Sequence, residues 1–130
     1  TFLWRAAGSP EPKSGTMPFT DVASGSCCEK AVLWAVENGI TKGVSETRFQ
    51  PETAVKRGEA VSYLWRMAGS PAAKGGTIPF TDVAAGSYCG QAVLWAAETG
   101  VTTGVSPTAS AAALAWSMRW KCCWITSAMF

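Results

Sequence analysis

Arg57 presents a planar fork of donors that suits a carboxylate held by two parallel hydrogen bonds. Glu52 and Glu59 stand close enough in sequence to pair with it locally instead. Asp21 can accept hydrogen bonds from hydroxyl groups, or cap a turn over Thr20–Ser24 through its own side chain. Trp34 and Trp95 each carry an apolar ring face and a polar N–H edge, which suit a sugar ring and a packed core equally. Trp4 and Trp65 fall on an apolar helical stripe and read as core. The vicinal pair Cys27-Cys28 invites a redox reading, but adjacent cysteines rarely bridge because the short ring is strained. Glu29, Glu37, Glu52 and Glu59 are enough acids to supply the carboxylate pair of a glycosidase.

Composition narrows these options. The chain has 130 residues, 48% of them apolar and 15% charged, which suits one small folded domain or two very small ones. Histidine is absent, so Ser–His and Cys–His catalysis, histidine-bound metal and an imidazole pH switch are excluded. The five cysteines form two vicinal pairs and a singleton, without the Cys-x-x-Cys spacing of zinc sites. No cofactor and no metal are expected. The net charge of +2 comes from scattered cations with no basic stripe, which disfavours nucleic acid. No apolar run is long enough for a membrane span, and no signal peptide is visible at Thr1-Phe2-Leu3-Trp4-Arg5.

The elements that position these residues come from a duplication. Sliding the sequence by 61 positions lays residues 1–45 on 62–106 without a gap, and thirty of the forty-five pairs are identical. Chance does not give this, so the unit is a tandem repeat whose copies bury their faces against neighbours. The repeat weakens the catalytic readings. Glu37 has a counterpart in Glu98, but Glu29 becomes Gly90, and a copy that varies its acids is a poor place for acid–base chemistry. Cys27 becomes Tyr88, which suggests a semi-buried packing position and not a reactive thiol.

One complete unit can be read. Gly8 to Gly15 is a polar linker, and Phe19-Thr20-Asp21-Val22 a short extended stretch. Ser26 and Glu29 have capping-box spacing ahead of a helix from about Cys28 to Asn38, ended by Gly39. Cys28, Val32, Ala35 and Val36 form its apolar face, with Trp34 off that face. Gly39 to Pro51 is a loop with Ile40, Val44 and Phe49 as inward anchors. A second helix runs from about Lys56 to Met67, closed by Gly69, with an apolar stripe of Ala60, Val61, Leu64, Trp65 and Ala68. The chain thus divides into the end of a preceding unit with its linker (1–15), a complete unit (16–76), the first half of a further unit (77–106) and a divergent tail (107–130). It starts inside one unit, as a fragment would.

Five blocks of this pattern resemble the S-layer homology (SLH) domain of bacterial cell-surface proteins. They are Phe19-Thr20-Asp21-Val22, Ala31-Val32-Leu33-Trp34-Ala35, Asn38-Gly39-Ile40-Thr41-Lys42-Gly43, Phe49-Gln50-Pro51 and Val55-Lys56-Arg57-Gly58-Glu59-Ala60. The resemblance covers roughly residues 1–106. It implies a mainly α fold of tandem helix–loop–helix repeats, here an incomplete pseudo-threefold bundle. It also implies attachment to the cell surface or cell wall through secondary cell-wall polysaccharide, often pyruvylated, bound in grooves between neighbouring repeats, without catalysis. The ligand-facing positions it points to are Arg57, Asp21, Trp34 and Gly43, with Asp82, Trp95 and Gly104 in the next copy. A pyruvate ketal carries the carboxylate that Arg57 would meet. Gly43 and Gly104 also read as positions of special backbone geometry.

Three departures stand out. Lys56 replaces the threonine that would cap the second helix, so that capping box is expected to be lost, with Thr53 a substitute one turn earlier. Gly58 replaces a helix-favouring alanine at about 1 kcal/mol. The repeat also breaks after Ser106, where a reading-frame shift or truncated gene is expected, a divergent amphipathic end being the other explanation. Two rival functions stay open: a structural protein–protein or self-assembly module of a cell-surface protein, and an enzyme, against which the missing histidine and unretained acids weigh.

Overall fold

The computed structural model describes residues 1–84, 86–104 and 106. The divergent tail, Val105 and Ala85 lie outside the described residues. Four helices are present among them: α1 (Phe2–Ala6), α2 (Glu29–Glu37), α3 (Arg57–Met67) and α4 (Gly90–Glu98). The described residues contain no strand, and the protein is mainly α. No helix among them is long and apolar enough to cross a membrane.

The helix ends follow from local chemistry. At the end of α2, Gly39 takes a φ of +66°, its N–H reaches Val36 O at 3.0 Å, and Ile40 N–H reaches Ala35 O at 2.9 Å. This left-handed closure satisfies carbonyls that the helix leaves open, and it buries Ile40. The start of α2 differs from expectation. Cys28, not Ser26, is the capping residue, and the Glu29 carboxylate reaches back to Gly25 N–H at 2.7 Å. At α3 the capping box is half kept. Lys56 N–H donates to Glu59 Oε2 at 2.8 Å, while the Lys56 ammonium has no lone pair to return the bond. Thr53 does not cap: α3 begins after Lys56, and the Thr53 hydroxyl donates to Gln50 Oε1 at 3.3 Å.

Among the described residues the chain forms two compact units, one over 1–53 and the other beginning at Ala54. In the first, α1 packs on α2; in the second, α3 packs on α4. Each pair therefore joins the second helix of one sequence repeat to the first helix of the next.

The two cores use the same positions. In the first unit Phe19, Val22, Cys28 and Val32 are buried together, with Met17, Val36 and Phe49 against them. In the second unit Phe80, Val83, Cys89 and Val93 are buried together, with Val61, Ile78 and Ala97 against them. Each such side chain contributes roughly 1.5–3 kcal/mol when fully withdrawn from water. Cys28 and Cys89 behave as small core residues, each with a serine hydroxyl near its sulfur, at 3.5 and 3.8 Å.

Several expectations are corrected. Thr20 to Val22 turn and do not extend. Trp34 is buried beside Ala31, Val32 and Leu33, so α2 is enclosed on more than the one face read from its periodicity. Val44 is 60% exposed and anchors nothing, whereas Ile40 and Phe49 do turn inward. Position 27 and its counterpart are both exposed, Tyr88 at 65%, so the semi-buried reading fails. The α3 stripe is only partly covered, with Leu64 at 37% exposure, and the fully buried residues of α3 are Gly58 and Ser62. Ser62 returns its hydroxyl to Gly58 O at 2.7 Å.

Candidate functional site

Asp21 organises the loop of the first unit. Its Oδ1 accepts Phe49 N–H at 2.9 Å and its Oδ2 accepts Gln50 N–H at 2.8 Å. Beside it, Thr20 N–H and hydroxyl both donate to Thr47 O, at 2.9 and 3.2 Å. Asp21 therefore anchors structure, and the bonds it makes at 49 and 50 tie down a loop distant in sequence. The Phe49 N–H, above all, holds the Asp21 carboxyl below its ordinary value of 3.8, helped by Gln50 N–H and the Arg48 charge against partial desolvation. Gln50 adopts a left-handed φ of 58°, which costs a side-chain-bearing residue energy that these bonds help to offset.

Gly43 closes the same loop from the other end, with a φ of +76°. A Cβ there would lie 2.5 Å from Phe19 Cε1 and 2.7 Å from Arg48 O. Only glycine fits where the Phe19 ring lies against the backbone. The Phe19 ring in turn meets that of Phe49 at 5.5 Å between centroids. Asp21 and Gly43 thus fix one loop, 43–50, onto one turn, 19–22. Thr41 Oγ1 accepts Gly43 N–H at 3.2 Å, and in the second unit Thr102 Oγ1 accepts Gly104 N–H at the same 3.2 Å, so the turn geometry recurs.

Trp34 is 9% exposed on α2, which leaves little ring face for a ligand. Trp95, its counterpart on α4, is half-buried. Asp82 is exposed, and the counterparts of Phe49 and Gln50 fall at 110 and 111, outside the described residues. Arg57 is half-buried and opens α3, one residue after the Lys56 cap. Of the acids read as its local partners, Glu59 has placed one oxygen on Lys56 N–H. Asp21, Trp34 and Gly43 belong to the first unit; Arg57, Asp82, Trp95 and Gly104 belong to the second.

Glu37 and Glu98, weighed in the sequence only as catalytic acids, have a linker-holding role that reading them as chemistry missed. Each carboxylate gathers backbone N–H groups of the linker that precedes its helix: Lys13 at 2.9 Å and Ser14 for Glu37, Lys74 at 2.8 Å and Gly76 at 3.1 Å for Glu98. Their retention at the same place in both copies was the available signal. No group of acids and cysteines among the described residues is arranged to hold a metal ion.

No curated protein and no solved structure matches the chain significantly. Residues 18–61, which run from the turn held by Asp21 into the first turns of α3, match the family model described as the S-layer homology domain.

Proposed function

We propose that the chain is a non-catalytic anchoring module that binds an anionic, often pyruvylated, secondary cell-wall polysaccharide and so holds a protein on the bacterial cell surface. The match to the S-layer homology domain over 18–61, which takes in Asp21, Trp34, Gly43 and Arg57, carries this reading. Arg57 is its chief ligand group, since a guanidinium at the start of a helix adds a fixed fork of donors to the positive end of the helix dipole. Asp21 shapes the groove wall through its two backbone bonds and offers its remaining lone pairs to sugar hydroxyls. Trp95, Asp82 and Gly104 play the matching parts in the next module, where the half-buried Trp95 keeps more open ring than Trp34. In this reading the modules run 1–15, 16–76 and 77–106, pack as an incomplete pseudo-threefold bundle, and complete each groove with a neighbouring repeat. With one complete module in the chain, affinity is weak.

Cosedimentation with purified sacculi tests the proposal. The chain pellets with sacculi that keep their secondary polysaccharide and stays in solution with stripped ones. Arg57→Ala lowers pelleting without changing the far-UV signal. Equal pelleting on both preparations defeats the reading.

The exposure of Leu64 and Met67 along α3, 37% and 38%, favours a second reading as a self-assembly module. An oligomer that grows with concentration and ignores added polysaccharide would support it.

A further inference from the structure

The linker after α1 is tied at two points inside the first unit. Trp4 Nε1 donates to Pro10 O at 2.8 Å, and the Glu37 carboxylate takes the N–H groups of Lys13 and Ser14. The second unit repeats both ties: Trp65 Nε1 donates to Pro71 O at 2.9 Å, and Glu98 takes the N–H groups of Lys74 and Gly76. A linker rich in Gly, Ser and Pro is loose unless something orders it, so the same two ties in both copies need a reason.

The placement of the acid supplies one. Glu37 and Glu98 are the last residues of α2 and α4. A negative charge there opposes the helix dipole. The acid is unfavourable for its own helix and favourable only for the linker, where two backbone N–H groups, adjacent for Glu37 and separated by Gly75 for Glu98, form charge-assisted bonds to it. At the other tie, Trp4 has two tasks. Its carbonyl accepts Ser9 N–H at 2.9 Å, closing α1, while its indole holds Pro10. Helix α1 has five residues, none buried, and is too short to persist without outside support.

We infer that these paired ties form a clasp that makes one repeat's second helix order together with the next repeat's first helix. Successive repeats are then joined by a fixed strap and not by a free tether. Glu37, Glu98, Trp4 and Trp65 are its positioning residues. The inference does not rest on glycan binding.

Amide hydrogen exchange on the full chain tests it. In the wild type, Lys13, Ser14, Lys74 and Gly76 exchange slowly, as do Ala7, Gly8 and Ser9 at the end of α1. Glu37→Ala speeds exchange at Lys13 and Ser14 at least tenfold and speeds Ala7 to Ser9 in step, leaving Lys74 and Gly76 unchanged. Glu98→Ala frees Lys74 and Gly76 instead. Trp4→Phe keeps an aromatic side chain and removes the indole N–H, so it releases the same α1 amides and carries the test if Glu37→Ala fails to fold. Faster exchange at Lys13 and Ser14 with Ala7 to Ser9 still protected overturns the inference, as does unchanged exchange in every variant.

Discussion

The carboxylate of Asp21 and the backbone N–H of Phe49 meet at 2.9 Å across 28 residues of chain. With Gln50 N–H on the second oxygen, this one side chain shuts the loop between the two helices of the matched domain. A single acid thus ends a long chain excursion, alongside the Thr20 bonds to Thr47 O and the Phe19–Phe49 ring contact.

The bond has a pH signature. Its folded-state carboxyl lies below the unfolded value near 3.8, because backbone donors favour the charged form. The contribution of Asp21 is therefore complete above that value and is lost as pH falls through the lower folded one. Denaturant midpoints measured from pH 6 downward should fall below about pH 4 in the wild type. Asp21→Asn, which cannot titrate, should start lower and show a smaller acid-side drop.

Gly43→Ala should be the costliest glycine substitution in the first unit. The left-handed backbone and the Phe19 ring together set a penalty of about 2 kcal/mol or more. Gly39→Ala, with open space around its Cβ, should cost about 1 kcal/mol, through backbone strain alone. Equal midpoints for the two variants would remove the role given to the Phe19 contact.

Thiol labelling followed by peptide mapping separates the cysteines. Cys27 is exposed and should label in the folded state, while Cys28 and Cys89 lie in the two cores and should label only on unfolding. Labelling of Cys28 at the rate of Cys27 would mean that the first core opens freely.

Glu59→Ala should remove the surviving half of the α3 cap and lower stability by about 0.5–1 kcal/mol in thermal or denaturant melts. Lys30→Ala breaks an exposed ion pair with Glu11 and should change stability by less than about 1 kcal/mol.

What the sequence made legible is what depends on near neighbours or on the repeat. Gly39 and Gly69 mark helix ends because a left-handed residue is needed within one turn of the last carbonyl. The cores at Phe19 and Phe80 follow from apolar positions kept at a fixed offset. The acid–loop tie of Asp21 was not legible, since nothing local to Asp21 points to positions 49 and 50. The burial of Trp34, left open between core and ligand, was not legible for a related reason: one helix's periodicity shows its strongest apolar face, and burial from a second side comes from elements distant in sequence. Tyr88 misled because a bulky residue replacing a small one signals tolerance of size, which open solvent provides as readily as a half-filled pocket.

The reach of these ties bears on how such a chain can change length. Trp4 to Pro10, Lys13 to Glu37 and Asp21 to Phe49 each span far fewer residues than the 61 of one period. Unequal crossing-over that inserts or deletes a whole period leaves the Trp–Pro and Lys–Glu ties, which both copies repeat, at their former distance along the chain. Recombination in such a gene need not respect the borders of helices, only the count of codons between them.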